Sequence, residues 1–137
     1  MLNMGNISSG GNIVLLVDDN EINAEIASLQ LRDIGLEVEW VTDGQKAVAA
    51  FENSGLNHYS IIIMDIMMPV MDGIEAIKVI RELDRSDAMS VPIIAVSANN
   101  FSNEISQNGV SCFITKPYSK SFFQNTVKEQ IELRHVV

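Results

Sequence analysis

Four apolar residues at positions 61–64 lead directly into a single acidic residue, Asp65, and a turn sequence at positions 69–73 follows soon after. A continuous apolar run rich in β-branched residues is typical of a strand covered on both faces, as in a parallel sheet. Ligands and chemistry collect at the carboxyl ends of the strands in such a sheet. Asp65 is therefore the first candidate for a functional residue.

Four further segments read as strands. Residues 13–17 and 93–96 are short apolar runs, and residues 112–115 form a fifth strand-like segment near the end of the chain. Residues 36–41 alternate between apolar and polar, which indicates a half-exposed strand at a sheet edge. The sequence thus predicts five strands with the second at an edge.

Segments that favour helices lie between these strands. We expect Asn20 to cap the first helix, whose apolar stripe is predicted to be Ile22, Ile26 and Leu29, and Gly35 to end it. Thr42 with Gln45, and Asp72 with Glu75, have the spacing of capping boxes for the second and third helices. A last helix is expected over residues 119–134. The predicted core-facing residues of these three helices are Ala47, Val48, Phe51, Ile74, Ile77, Ile80, Phe123, Val127 and Ile131.

This alternation of strands and helices predicts an α/β fold. The expected architecture is flavodoxin-like, a doubly wound five-stranded parallel sheet with strand order 2-1-3-4-5. Residues 12–137 are expected to form one domain. Residues 1–11, rich in Asn, Ser and Gly, are expected to be a flexible tail or linker.

Charge and composition narrow the function. The net charge of −9, with only nine Lys and Arg residues, argues against nucleic acid and favours a protein partner for an acidic face. The single cysteine, Cys112, excludes an internal disulfide, and residues 1–11 do not resemble a signal peptide. We therefore expect a cytoplasmic protein, and no segment of the sequence is apolar enough to predict a membrane span.

Polar side chains follow four of the five predicted strands: Asp18 with Asp19, then Asp65, Ser97 and Lys116. Because a parallel sheet brings its strand ends to one edge, we expect these side chains to form one site. Two carboxylates about 4 Å apart repel by about 4 kcal/mol at an effective dielectric near 20, so three of them require a cation. Oxygen ligands alone favour Mg²⁺. Lys116 would offset charge on an anionic ligand, and the Ser97 hydroxyl could hydrogen-bond to it.

A carboxylate beside Mg²⁺, a lysine and a hydroxyl can accept a phosphoryl group as an acyl phosphate. Neither His58 nor His135 lies near these positions in the sequence, so a nucleophile-and-base arrangement for hydrolysis is not supported. The residues therefore point to phosphoryl transfer onto Asp65.

With these residues the chain resembles a known family, the receiver domains of two-component response regulators. The similarity covers about residues 12 to 133 and rests on Val17-Asp18-Asp19-Asn20, on residues 64–73 with Met64-Asp65 and Asp72-Gly73, on Ser97-Ala98 and on Lys116-Pro117. The first two motifs look most like receivers of hybrid histidine kinases.

The resemblance implies a role for each matched residue. Asp65 would be the phosphoacceptor, and Asp19, Asp65 and the backbone carbonyl of Met67 would bind Mg²⁺, with Asp18 acting through a water on the ion. Ser97 would be the switch hydroxyl. Lys116 would contact the phosphoryl group, and the Lys116-Pro117 bond would be cis.

The resemblance also implies partners and a mode of action. A histidine kinase or a histidine phosphotransfer domain would donate the phosphoryl group, and the domain would lose it again by autodephosphorylation rather than act as an enzyme on other substrates. A weak homodimer is a further expectation. The family's switch aromatic, often Tyr, is Phe113 here, and the interval from Ser97 to Lys116 is shorter than usual. We therefore expect a shortened fourth helix, over residues 99–109.

Three alternative functions fit the sequence less well. A phosphatase of the haloacid-dehalogenase kind needs an Asp two residues beyond its nucleophile, but those positions hold Asn20, Glu21 and Met67. A flavin mononucleotide binder needs a phosphate-cradling first loop, whereas this loop is acidic. A receiver-like interaction module that is never phosphorylated is disfavoured by the intact set of site residues, and it stays open.

Overall fold

The computed structural model describes residues 12–66, 72–98 and 109–134. Within these ranges the chain alternates strands and helices, in the order β1 Ile13–Val17, α1 Glu21–Arg32, β2 Glu37–Val41, α2 Gly44–Glu52, β3 Ile61–Asp65, α3 Gly73–Arg81, α4 Asp87–Ser90, β4 Ile93–Ser97, β5 Cys112–Thr115 and α5 Lys120–Arg134. Among the helices so described, none is both long and apolar enough to cross a bilayer.

The five strands form one parallel sheet in the order β2-β1-β3-β4-β5. This order confirms the predicted flavodoxin-like α/β fold, with the alternating strand at an edge. Every residue of β3 and β4 is buried, whereas β2 has no fully buried residue. The continuous apolar runs therefore occupy the covered strands and the alternating run the exposed edge, as their patterns predict.

Helices cover both faces of the sheet. Successive residues of a strand point to opposite faces, so Leu15 and Val17 pack toward α2 and α3, while Val14 and Leu16 pack toward α1 and α5. The predicted core residues of α2, α3 and α5 lie in these two layers, with Val48 and Ile74 only partly buried. The sheet thus has two hydrophobic cores.

The predicted apolar stripe of α1 is wrong. Its residues Ile22, Ile26 and Leu29 are 69%, 51% and 59% exposed. The face that packs on the sheet is formed by Ala24, Ala27, Ser28 and Leu31. Small side chains let the helix backbone approach the sheet closely, and the larger side chains are left on the solvent face.

The helix caps follow the predictions with one exception. The side chains of Asn20 and Asp72 accept hydrogen bonds from backbone N–H groups in the first turns of α1 and α3, as expected. In α2, however, the cap is Asp43, whose carboxylate accepts the N–H of Lys46. The predicted capping box of Thr42 and Gln45 is one residue out of register, because Asp43 is a stronger N-cap than Thr42.

Two parts of the chain differ from expectation or lie outside the description. The short helix α4 was not foreseen in the sequence. The shortened helix predicted over residues 99–109 and the tail at residues 1–11 fall almost wholly outside the described residues.

Arg85 links several segments at the edge of the sheet opposite the carboxyl ends of the strands. Its guanidinium donates to both carboxylate oxygens of Asp87, at 2.6 and 2.9 Å, and to the carbonyl oxygens of Phe51, Ser54 and Gly55 at the end of α2. A cation at this place adds a charged donor to carbonyls at the end of α2, where the helix dipole is negative. Asp87 in turn accepts the backbone N–H of Asn57 at 2.8 Å.

We predict that Arg85→Ala lowers the free energy of unfolding by about 3 kcal/mol, because it leaves the buried Asp87 carboxylate and several carbonyls without their cation. Urea denaturation measures the loss. Lys46→Ala, which removes an exposed ion pair of 4.0 Å to Asp43, is the matched control and should cost less than about 1 kcal/mol. Equal losses in the two variants would contradict the assigned role of Arg85.

Candidate functional site

The strand register brings the predicted site residues to one edge of the sheet. Val17 lies beside Met64, and Asp65 beside Val96, so β1, β3 and β4 end at nearly the same level. Asp18 follows β1 directly, and Ser97 is the last residue of β4. Residues far apart in sequence are therefore neighbours here because each ends or follows a strand.

Three carboxylates form the centre of this site. One oxygen each from Asp18, Asp19 and Asp65 can be chosen so that all three lie within 4.8 Å of one another. Asp18 and Asp65 are only 7% and 8% exposed, whereas Asp19 is open to solvent. Solvent therefore screens the charge of Asp19 more than the charges of the two buried carboxylates.

The donor set fits a hard divalent cation. Carboxylate oxygens at this spacing are the ligands that Mg²⁺ takes in proteins, usually with waters completing its shell. No His or Cys among the described residues belongs to this group. The fourth predicted ligand, the backbone carbonyl of Met67, lies outside the described residues.

Asp18 shows the electrostatic consequence of this crowding. Burial raises the pKa of its carboxyl group above the ordinary value, and the negative charge of Asp19 raises it further. The backbone N–H of Asn20, which donates to the Asp18 carboxylate at 2.9 Å, lowers this pKa, as do the positive charge of Lys116 and a side-chain hydrogen bond with Asp65. The net effect is a raised pKa, so a nearby cation would stabilise the charged form of Asp18.

Lys116 supplies a positive charge at the same edge. Its Nζ lies 4.0 Å from Oδ2 of Asp65, and its side chain is mostly buried. The backbone N–H of Lys116 donates to the carbonyl of Ser97 at 2.9 Å, which continues the pairing of β4 with β5 past the strand end. The Lys116-Pro117 peptide bond is cis.

The two predicted switch residues lie on β4 and β5. Ser97 is buried at the end of β4, in the same edge of the sheet as Asp65. Phe113 pairs with Ala95 in the sheet and is partly buried against the core layer of α2 and α3. Ser97 thus lies at the end of the strand that pairs with β3, and Phe113 lies two residues back from the end of β5.

A cleft of about 360 Å³ opens beside Asp65. Its walls include Asp18 and Lys116 at the strand ends and Ile26 and Ala27 of α1. Tyr118, which was not among the predicted site residues, also lines it. The sequence feature that could have identified Tyr118 is its position two residues after Lys116, at the same strand end.

Tyr118 is held against α5 and within the field of the site. Its ring stacks on Phe123, with 4.8 Å between ring centroids. Burial raises the pKa of the Tyr118 hydroxyl, and the negative charges of Asp18 and Asp65 raise it further. The phenol therefore stays neutral and forms an uncharged wall of the cleft.

Gly73 is a second residue whose role was missed. A Cβ atom built on it would lie 2.5 Å from the backbone oxygen of Asp65 and 2.8 Å from Cα of Ile66. The N–H of Gly73 donates to the carbonyl of Ile66 at 3.0 Å. The start of α3 therefore packs directly against the chain that carries Asp65. The signal was a glycine in the first turn of a helix, where it is otherwise unfavourable.

A family model matches most of the chain. The model is that of the response regulator receiver domain, and it matches residues 14–128. All the described site residues discussed above lie within this range.

Curated relatives of the chain include sensor kinases of fungi and bacteria. The peroxide stress-activated histidine kinase mak1 of Schizosaccharomyces pombe is 36% identical over 116 residues, which cover 82% of this chain and 7% of that protein. The sensor protein GacS of Pseudomonas syringae pv. syringae is 37% identical over 119 residues, or 83% of this chain and 13% of that protein. The chain thus spans only a small part of the length of these relatives.

Among solved structures, the receiver domain of the sensor histidine kinase PA1611 from Pseudomonas aeruginosa superimposes with a TM-score of 0.80 at 34% identity. The match covers 89% of this chain and 98% of that domain. That crystal structure has a magnesium ion coordinated in its active site cleft.

We predict that Gly73→Ala destabilises the protein by about 2 kcal/mol, because the new methyl group would collide with backbone atoms that cannot rotate away. Thermal unfolding measures the loss. Gly55→Ala is the matched control, since a Cβ at Gly55 would have no heavy atom within 4 Å. If Gly73→Ala is as stable as Gly55→Ala, the start of α3 does not pack closely against the backbone of Asp65.

Proposed function

This chain belongs to the response regulator receiver family, and we propose that it acts as a phosphoacceptor switch that takes a phosphoryl group from a phosphohistidine onto Asp65 in a Mg²⁺-dependent reaction. The observation that carries this proposal is the position of Asp65. It stands at the end of β3, grouped with two other carboxylates and 4.0 Å from the Lys116 amine. A single carboxylate between a cation site and a lysine is placed for attack on a phosphoryl group.

The transfer exchanges one bond to phosphorus for another. A carboxylate oxygen of Asp65 forms a bond to phosphorus while the bond from phosphorus to the donor's imidazole nitrogen breaks. The imidazole keeps the electron pair and takes a proton from solvent. The product is an acyl phosphate on Asp65 and a free histidine on the donor.

The proposed roles of the other site residues are electrostatic. Asp18, Asp19 and Asp65, with the backbone carbonyl of Met67, would hold Mg²⁺, which offsets the negative charge of carboxylates and phosphoryl oxygens. Lys116 would pair with a phosphoryl oxygen, because its amine already lies beside Asp65. The neutral Tyr118 would limit the access of water along the cleft.

The output of the switch would pass through β4 and β5. We assign the contact with the new phosphoryl oxygens to the Ser97 hydroxyl, and the accompanying side-chain movement to Phe113, which is only partly buried. Hydrolysis of the acyl phosphate by water would return Asp65 and inorganic phosphate, so the state would end by autodephosphorylation.

The donor would be a histidine kinase or a histidine phosphotransfer domain, and the exposed face of α1 is where we expect it to bind. Ile22, Ile26 and Leu29 leave a large apolar area on a helix that begins directly after the acidic loop. Ile26 also lines the cleft beside Asp65. A domain seated on this face would have its phosphohistidine at the acceptor.

Two further expectations from the sequence, a cytoplasmic location and a weak homodimer, stay predictions.

We predict that the wild-type protein gains the mass of one phosphoryl group when incubated with phosphoramidate and Mg²⁺, and that Asp65→Asn does not, because an amide cannot form the acyl phosphate. Intact-mass spectrometry makes the comparison. Asp72→Asn is the matched control: Asp72 caps α3, asparagine caps equally well, and this variant should be labelled like the wild type. Labelling of Asp65→Asn, or no labelling of the wild type, would reject the proposal and favour an unphosphorylated interaction module.

We also predict that Leu29→Glu slows phosphoryl transfer from a phosphorylated histidine phosphotransfer domain about ten-fold, since a charge replaces an apolar contact at the interface. Labelling by phosphoramidate should not change, because this small donor needs no protein surface. Leu133→Glu on α5 is the control, as Leu133 is 57% exposed and Leu29 59%. If Leu133→Glu slows the protein donor as much as Leu29→Glu, the donor does not bind to α1.

A further inference from the structure

The loop between β1 and α1 carries two of the three carboxylates of the site but belongs to neither element. It comprises Asp18, Asp19 and Asn20. Asn20 is tied to the helix that follows, because its side chain accepts the N–H of Asn23 and its carbonyl accepts the N–H of Ala24. Asn20 thus fixes the α1 end of the loop, and the position of Asp18 depends on contacts made at the β1 end.

Both backbone polar groups of Asp18 bond to the edge strand β2. Its N–H donates to the carbonyl of Val41 at 3.1 Å, which continues the pairing of β1 with β2 by one residue. Its carbonyl accepts a hydrogen bond from the indole Nε1–H of Trp40 at 2.7 Å. Trp40 is 22 positions further along the chain and is the single tryptophan of the protein.

The Trp40 contact is the more specific of the two. A backbone bond such as that to Val41 is available to any residue of a paired strand, whereas the indole bond requires this side chain. Trp40 is 39% exposed, so burial of apolar surface accounts for only part of its placement at the sheet edge. Its indole N–H points at the loop that carries Asp18 and Asp19.

Repulsion within the site acts on this loop. Asp18 and Asp19 lie on it, while Asp65 is fixed at the end of the central strand β3. Without a cation, the movement that relieves the repulsion is displacement of the loop away from Asp65. A hydrogen bond that holds the Asp18 carbonyl opposes this displacement directly.

We propose that Trp40 is a positioning residue for the divalent cation: its indole N–H holds the β1–α1 loop so that Asp18 and Asp19 face Asp65 before the ion binds. Trp40 itself touches neither the ion nor the phosphoryl group. The inference rests on the proposed function, because that function assigns Mg²⁺ to these carboxylates. Preorganisation of this kind raises affinity by removing the cost of ordering the ligands on binding.

The test is the affinity of the protein for Mg²⁺, measured by calorimetry on folded protein well below its melting temperature. Trp40→Phe retains an aromatic ring but loses the donor, and it should raise the Kd for Mg²⁺ about five-fold. Replacement of the single tryptophan by benzothienylalanine, which carries sulfur in place of the N–H, keeps the shape of the ring and should raise the Kd equally.

Tyr59→Phe is the matched control. It removes a hydrogen bond of 2.7 Å from another aromatic side chain to β2, at Glu39, away from the acidic loop. This variant should bind Mg²⁺ like the wild type even if its melting temperature falls. A purely structural role for Trp40 would likewise lower the melting temperature and leave the Kd unchanged.

The outcomes separate the two proposals. If the wild type does not bind Mg²⁺, the proposed metal function fails and the role of Trp40 fails with it. If the wild type binds and both tryptophan replacements bind equally well, only the positioning role is overturned.

A measurement without any substitution tests the same contact. The indole N–H of Trp40 gives its own proton–nitrogen NMR signal, and its exchange with solvent should be at least about ten-fold slower than that of free tryptophan before Mg²⁺ is added. Exchange as fast as in free tryptophan would show that the loop is not held, and would overturn the inference.

Discussion

Repulsion among three carboxylates is the constraint around which this structure is arranged. Asp18, Asp19 and Asp65 present oxygens within 4.8 Å of one another, two of them on largely buried side chains. Such an arrangement persists only where the backbone is fixed independently of the charges. The central strands β1 and β3 provide this, since they are covered on both faces and paired along their length. A bound cation would offset the cost of crowding these charges.

The parts of the fold that follow from local patterns could be predicted from the sequence. Continuous apolar runs identify the covered strands because both faces of a parallel sheet are buried, and the alternating run at Glu37 to Val41 identifies the edge. The predicted strand order then rests on a central β1 together with an edge position for β2. The candidate site could be predicted as well, because a parallel sheet places residues at the ends of different strands, such as Asp65 and Lys116, at one edge.

The features that were not predicted depend on side-chain size or on hydrogen bonds between residues distant in sequence. The helical spacing of apolar residues predicted that Ile26 packs on the sheet, but α1 packs through small residues such as Ala27. A hydrophobic pattern does not show how closely a helix approaches the sheet. The bonds of Arg85 to the end of α2 and of Trp40 to the Asp18 carbonyl join residues more than twenty positions apart. Nothing in the local sequence of either residue specifies its partner.

In the proposed reaction, Asp65 alone forms the acyl phosphate. Borohydride reduces an aspartyl phosphate to homoserine, with release of phosphate, and leaves free carboxylates unchanged. The protein is therefore treated with phosphoramidate and Mg²⁺, reduced, digested, and sequenced by mass spectrometry. We predict homoserine at position 65 and unaltered aspartate at positions 18 and 19. Homoserine at either of those positions, or at none in a protein that binds Mg²⁺, would contradict the account.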